Sequence, residues 1–297
     1  MFVPLPFQFS EPLGKPLLTG ALITASLWAL SASAGKITAS DNPDFHLDAN
    51  GVTVRCDSAE LGASGTLEGR RYTKRAVDDI TLDNAATTCT SGINGMFRLF
   101  DTSRVGEEAA SFDADISHWD VSRVNNMSQM FMGAEAFNQD ISAWDVSRVH
   151  NMTNMFANAK AFDQDIGGWN VSRVTSMAWM FGGAEAFNQD IGGWDVSRVR
   201  NIEGIFAGAH RFNQDISGWE LPRVTNMDLM FRNARAFNQD ISRWDTSNVT
   251  NMHQMFFGAA AFNQDLSDWD VSNVTEAGSI FQRADAFESQ HAPDGLE

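Results

Sequence analysis

Phe137-Asn138-Gln139-Asp140-Ile141-Ser142-Ala143-Trp144-Asp145-Val146-Ser147-Arg148-Val149-His150-Asn151-Met152-Thr153-Asn154-Met155-Phe156-Ala157-Asn158-Ala159-Lys160-Ala161 is one copy of a motif that recurs every 25 residues. Trp119, Trp144, Trp169, Trp194, Trp219, Trp244 and Trp269 mark the period. Phe112 to Phe287 and Phe131 to Phe281 keep it in two further columns. Seven complete copies run from Phe112 to Ala286 without an insertion. Before them, Phe100-Asp101-Thr102-Ser103-Arg104-Val105 echoes the Trp-Asp-Val-Ser-Arg-Val segment and suggests a shortened copy lacking six residues ahead of Phe112.

Two spacings alternate within a copy. Ile141, Trp144, Val146 and Val149 follow the L-x-x-L-x-L pattern of a leucine-rich unit, and the two-residue step from Trp144 to Val146 fits a short strand. Met152, Met155, Phe156 and Ala159 then fall at i, i+3, i+4 and i+7, the spacing of one helix face. One strand and one short helix cannot bury an apolar side alone, so the expectation is an α/β solenoid. In it, right-handed leucine-rich-repeat-like coils stack with parallel strands lining one face.

The chain has 297 residues, a formal charge of −17, 22 Phe, 9 Trp and 13 Met, but one Tyr. That skew is the composition of one unit copied many times. The acidic balance opposes nucleic-acid binding, which needs clustered Lys and Arg to displace counterions.

Residues 17–30 are almost wholly apolar or small, and Ala32-Ser33-Ala34 is an A-x-A-like cleavage site, which reads as a signal peptide over 1–34. A mature chain without a membrane span, secreted or held at the cell surface, is the consequence. In an oxidising compartment Cys56 and Cys89 are expected to pair. Closing that loop would stabilise by about 3–4 kcal/mol.

The unit F-N-Q-D-I-S-x-W-D-V-S-x-V-T-N-M-x-x-M-F closely resembles the repeat of BspA-like leucine-rich-repeat surface proteins, shared with a mycoplasma-type lipoprotein repeat family of unassigned function. The likeness covers Phe112 to Phe287, and Cys89-Thr90-Ser91-Gly92-Ile93 is similar to the C-T-S-x-I lead-in of such arrays. The resemblance implies a secreted or surface-attached interaction protein, linked in that family to adhesion, and carries over no catalytic residue.

In a stack each motif position becomes a column. Asp115, Asp140, Asp165, Asp190, Asp215, Asp240 and Asp265 form one, expected to accept turn N–H groups, with Asn138 and its equivalents as an adjoining ladder. Calcium between these carboxylates is the alternative, although the signature of calcium-binding solenoids is absent. No other cofactor is expected.

A second column (Asp120, Asp145, Asn170, Asp195, Glu220, Asp245, Asp270) and a third (Arg104, Arg123, Arg148, Arg173, Arg198, Arg223, then Asn248 and Asn273) lie three residues apart. They make either a solvated strip of ion pairs or a recognition strip for an extended ligand. The candidate binding residues are Asp120, Arg123, Asp145, Arg148, Arg173, Asp195, Arg198 and Arg223, with Trp179, outside the Trp column, as the exposed aromatic. Gly168, Gly193 and Gly218 before Trp would open a shallow trough. The Trp and Met columns read as core.

Catalysis finds no support. The six His share no register, no Ser sits in a G-x-S-x-G context, and carboxylate pairs recur in every unit whereas an active site is normally unique. The organisation is then a leader (1–34), an N-terminal cap with a degenerate repeat (35–111), seven repeats (112–286) and a tail (287–297). Arg70, Arg71, Lys74 and Arg75 form a basic patch in the cap, either solvated or a docking surface. The function expected is non-catalytic binding of an extracellular protein or polysaccharide; the alternative is a structural protein self-associating through the ends of the stack.

Overall fold

The computed structural model describes residues 40–296; the expected leader lies outside them. Successive units are bonded to one another along the main chain. Isolated parallel bridges join Asn126 to Asn151, Asn151 to Ser176 and Ser176 to Asn201, and farther on Asn226 to Asn251 and Asn251 to Glu276. Around each bridge run further bonds. Met152, Asn154, Phe156 and Asn158 donate N–H to the carbonyls of Ser176, Ala178, Met180 and Gly182, at 2.7–3.0 Å.

Those bonds dictate a local conformation that differs from the expected one. Met152–Ala159 is a run of turns, and among the described residues the one α-helix is the single turn α1 (Thr102–Val105). In an α-helix every interior N–H is consumed within its own segment. Here only alternate N–H groups close locally: Met155, Ala157 and Ala159 donate to Met152, Asn154 and Phe156. The intervening ones reach the next unit. The i, i+3, i+4, i+7 spacing still buries Met152, Met155, Phe156 and Ala159 completely. The expected strand at Trp144–Val146 is likewise absent; the single bridge lies at Asn151, beyond it.

The unit from Phe137 opens three turns by the same device. Asp140 Oδ1 accepts the N–H of Ser142, Asp145 Oδ1 that of Ser147, and Asn151 Oδ1 that of Thr153, at 2.9–3.0 Å. The following turns close from Trp144 to Ile141, Val149 to Val146 and Met155 to Met152. The 25-residue motif therefore contains a smaller one three times over: Asx, apolar, Ser/Thr, any residue, apolar. Asx side chains satisfy N–H groups that a turn leaves open. Ser176 and Glu276 replace the Asn of the third turn, Gly167 and Gly192 replace the Ser of the first, and one unit departs at the second. Glu220 and Pro222 replace the Asx and Ser, but the turn from Leu221 to Val224 still closes, with proline at the position whose φ it pre-sets.

Apolar columns fill the interior. The Phe112–Phe287 rings stack on their neighbours at 5.8–6.1 Å and the Phe131–Phe281 rings at 5.5–5.9 Å. Within a unit the two columns touch, as Phe181 and Phe187 do at 3.9 Å. The seven Trp are buried, and Trp144 to Trp269 each donate Nε1–H to the Ile carbonyl 28 residues earlier, at 3.1–3.2 Å. A buried indole thereby keeps its donor satisfied.

Two positions per unit lie in the left-handed region. One runs through Gln129, Asn154, Trp179, Gly204, Leu229, Gln254 and Ser279; the other through Gly133, Asn158, Gly183, Gly208, Asn233, Gly258 and Arg283. Each sits where a turn requires φ above zero, which favours Gly and Asn. In the second column Asn158 covers Gly183 and Asn233 covers Gly258. A Cβ on either glycine would come within 2.3 Å of the Asn Oδ1.

The stack begins earlier than the sequence echo suggests. Met96, Arg98 and Phe100 donate N–H to Asn126, Ser128 and Met130, and Gly95 bridges Asn126. Phe100 thus belongs with Phe131, not with the Trp column, and the first unit carries extra residues around α1 rather than lacking six. The misleading echo has a real cause: Asp101 Oδ1 accepts the N–H of Ser103, the same turn chemistry as Asp145 and Ser147.

A small β cap covers this first unit. β1 (His46–Leu47) and β2 (Val54–Arg55) are antiparallel; β3 (Ser64–Leu67) and β4 (Arg70–Lys74) are antiparallel, and β4 pairs in parallel with β5 (Thr88–Cys89). The Cys56–Cys89 disulfide, Cα atoms 6.4 Å apart, ties the cap to the chain entering the first unit. The basic patch is largely spent here. Arg70 meets Asp115 at 3.1 Å, Lys74 bonds the Asp57 carbonyl, and Arg75 bonds the Thr87 carbonyl and the Thr88 hydroxyl.

His118, buried against Tyr72 with ring centroids 4.9 Å apart, is bonded through Nε2 to the Thr88 carbonyl while Nδ1 has no partner. Burial pushes its pKa down from 6.5 to about 4. The unfolded chain therefore takes up this proton at higher pH than the folded one. Its contribution is complete above pH 6.5 and is lost as pH falls toward 4, by at most about 3 kcal/mol. Denaturant melts at pH 7 and pH 4.5 should show this loss in the wild type and a smaller one in His118→Gln.

Phe187, stacked at 6.1 and 6.0 Å on Phe162 and Phe212, leaves an aromatic-sized hole if truncated. Phe187→Ala should cost about 3–5 kcal/mol in equilibrium unfolding. A loss under 1 kcal/mol would show that the column is not cohesive.

Candidate functional site

The Arg column stands on turns. Arg148 is the third residue of the turn Val146–Val149, and the same turn places Arg123, Arg173 and Arg198, all exposed. Two adjoining depressions run along them. The first, about 650 Å³, is lined by Arg123, Arg148 and Arg173 with Asn94, Asn125, Ser147, His150, Asn170 and Ser172. The second, about 390 Å³, shares His150, Ser172 and Arg173 and adds Arg198 and Asp195. Among the described residues Arg148, Arg173 and Arg198 have no carboxylate within ion-pair distance; Arg123 has Asp57 at 3.6 Å.

The other sequence candidates divide. Asp145 and Asp195 are exposed on the turn before their arginines, each accepting its own Ser N–H, so the expected Asp–Arg pairs three residues apart do not form. Asp120 is not available to a ligand: Arg55 of the cap reaches it at 2.7 Å and its side chain is buried. Arg223 is exposed but lies beyond the two depressions. Trp179 is half-buried rather than an exposed platform. Its ring lies over Gly204 of the next unit, where a Cβ would meet it at 2.6 Å, and Nε1 donates to Glu203. A lone Trp among small residues carries no sign of that glycine 25 residues on.

The turn column of Asp residues is fully engaged. Asp115, Asp140, Asp165, Asp190, Asp215, Asp240 and Asp265 each accept the N–H two residues on, at 2.9–3.1 Å. Beside them Asp113, Asn138, Asp163, Asn188, Asn213, Asn238 and Asn263 hand one Oδ1···H–N bond per unit along the axis, ending at Glu288. Among the described residues no group of three or more His, Cys, Asp or Glu is placed to hold a metal ion, and no helix is long and apolar enough to cross a membrane.

Asp240 tests the turn role. The bonds donated by Ser242, from its hydroxyl and its N–H, hold this carboxyl below its ordinary 3.8. Its contribution is therefore present above that value and lost as pH falls through the depressed one. Asp240→Ala should cost about 1 kcal/mol, whereas Asp240→Asn, which keeps the acceptor oxygen, should stay within about 0.5 kcal/mol at pH 7. Thermal melts of both variants decide it.

No curated protein and no solved structure matches the chain. A family model does, over residues 83–194 and 212–293, most of the described chain. The first match starts just before Ala85, whose carbonyl receives Trp119 Nε1–H as Ile116 receives that of Trp144, so model and hydrogen bonding mark the same start. On the extent of these matches, the chain belongs to the repeat family described as Mycoplasma protein of unknown function, DUF285.

Proposed function

We propose that the stack is a leucine-rich-type solenoid of the BspA-like kind. It works outside the cell as a non-catalytic binding protein, and the Arg-lined depressions are its recognition strip. One observation carries the reading: four guanidiniums from consecutive units line two continuous depressions, three of them without a carboxylate partner.

The ligand is an extracellular protein or polysaccharide lying along the axis, and it meets polar side chains from several units at once. No step of bond making or breaking is assigned to it. Assembly through the stack end is the second reading, favoured by Val271, Val274, Phe281 and Phe287, which continue the core columns yet are only partly buried.

An array of matrix proteins and polysaccharides should retain the chain from residue 35 onward. The triple variant Arg148→Ala, Arg173→Ala, Arg198→Ala should lose at least tenfold in affinity with an unchanged melting temperature. Retention equal to wild type would remove the strip. Light scattering over a concentration series separates the second reading, which requires growth in mass insensitive to those three substitutions.

A further inference from the structure

We infer that the strip takes an acidic polysaccharide, and that its binding segment is confined to the units between Arg123 and Arg198. This rests on the strip reading above and names its ligand class.

Three features of the structure converge. The first depression has three arginines and no carboxylate in its lining, in a chain of net charge −17. That absence of carboxylate is local and accompanies two departures from the motif. Asn170 stands where the motif has Asp, and Asp120, the column's first carboxylate, is turned into the cap by Arg55 at 2.7 Å. Asn170 Oδ1 still accepts the N–H of Ser172, at 3.2 Å, so the turn is kept while the charge is removed.

The second feature is where the cations stop. Arg gives way to Asn248 and Asn273 while Asp245 and Asp270 persist, so the same strip becomes acidic toward the C-terminal end. An anionic chain is held over one half and repelled over the other.

The third feature is the rest of the lining. Asn, Ser and His side chains flank the guanidiniums, and no apolar side chain does. Hydroxyl, amide and imidazole groups match a polyhydroxylated ligand, whereas a protein partner ordinarily needs an apolar anchor at the interface centre. Stacking aromatics of the kind that hold single-stranded nucleic acid are missing from the lining as well.

The experiment uses the chain from residue 35 onward and four probes: polygalacturonate, heparin, neutral dextran and poly-glutamate, each by titration calorimetry at several salt concentrations. Duplex DNA serves as a fifth. The decisive variant is Asn170→Asp, which restores the motif residue and so preserves the turn. The expected result is binding to polygalacturonate or heparin that weakens steeply with salt, several-fold weaker binding in Asn170→Asp, and more than tenfold weaker in Arg148→Ala/Arg173→Ala. Asn273→Asp, outside the segment, should bind like wild type.

Arg-dependent binding of dextran, poly-glutamate or DNA in preference to the acidic polysaccharides would overturn this inference and leave the strip standing. Binding of none of the probes in an Arg-dependent way would overturn this inference, whereas the strip itself falls only if the triple Arg variant is retained like wild type on the array. Equal affinity in Asn170→Asp and wild type would also overturn it, because the absence of carboxylate from the first depression is its central claim.

Discussion

A backbone N–H can point along its own segment or across to a neighbour, and this fold depends on alternating the two. From Met152 to Ala159 every second N–H closes a turn and every other one crosses to the next unit. Regular helix would leave the neighbour without partners. The turns need residues that accept positive φ and side chains that satisfy the N–H groups left open. The left-handed columns and the thrice-repeated Asx turn meet those two demands. The aromatic columns follow, since identical backbones stacked in register place identical rings face to face.

Much of this was legible in the sequence, but unevenly. The period, the membership of the core columns, the disulfide and the turn role of the Asp column could be read from residue spacing and type. The conformation linking Met152 to Ala159 could not, because i, i+3, i+4, i+7 burial is common to a helix and to consecutive turns. What distinguishes them is the destination of the N–H groups, a property of the neighbouring unit. The start of the stack was misplaced for a related reason. Phe100-Asp101-Thr102-Ser103 repeats a local turn chemistry, and local chemistry carries no register.

The candidate strip shows the same division. Its arginines are visible as a column, yet their freedom from carboxylates depends on geometry three residues away in sequence and on a cap residue 65 positions from Asp120. Trp179 was unreadable in the opposite sense. Its exposure is decided by Gly204, which leaves room for the ring.

The Asn158–Gly183 and Asn233–Gly258 contacts make the stack less modular than its period suggests. A unit bearing Asn at this position accepts a following Cβ only if the Asn side chain turns away, while Gly208 after Gly183 meets no such bar. The array thus has a grammar of permitted successions. Copying the Asn158 unit in place would force that side chain out of its present rotamer, whereas copying it together with the unit that follows would leave it undisturbed. A unit bearing Gly, such as that of Gly183, can be copied alone.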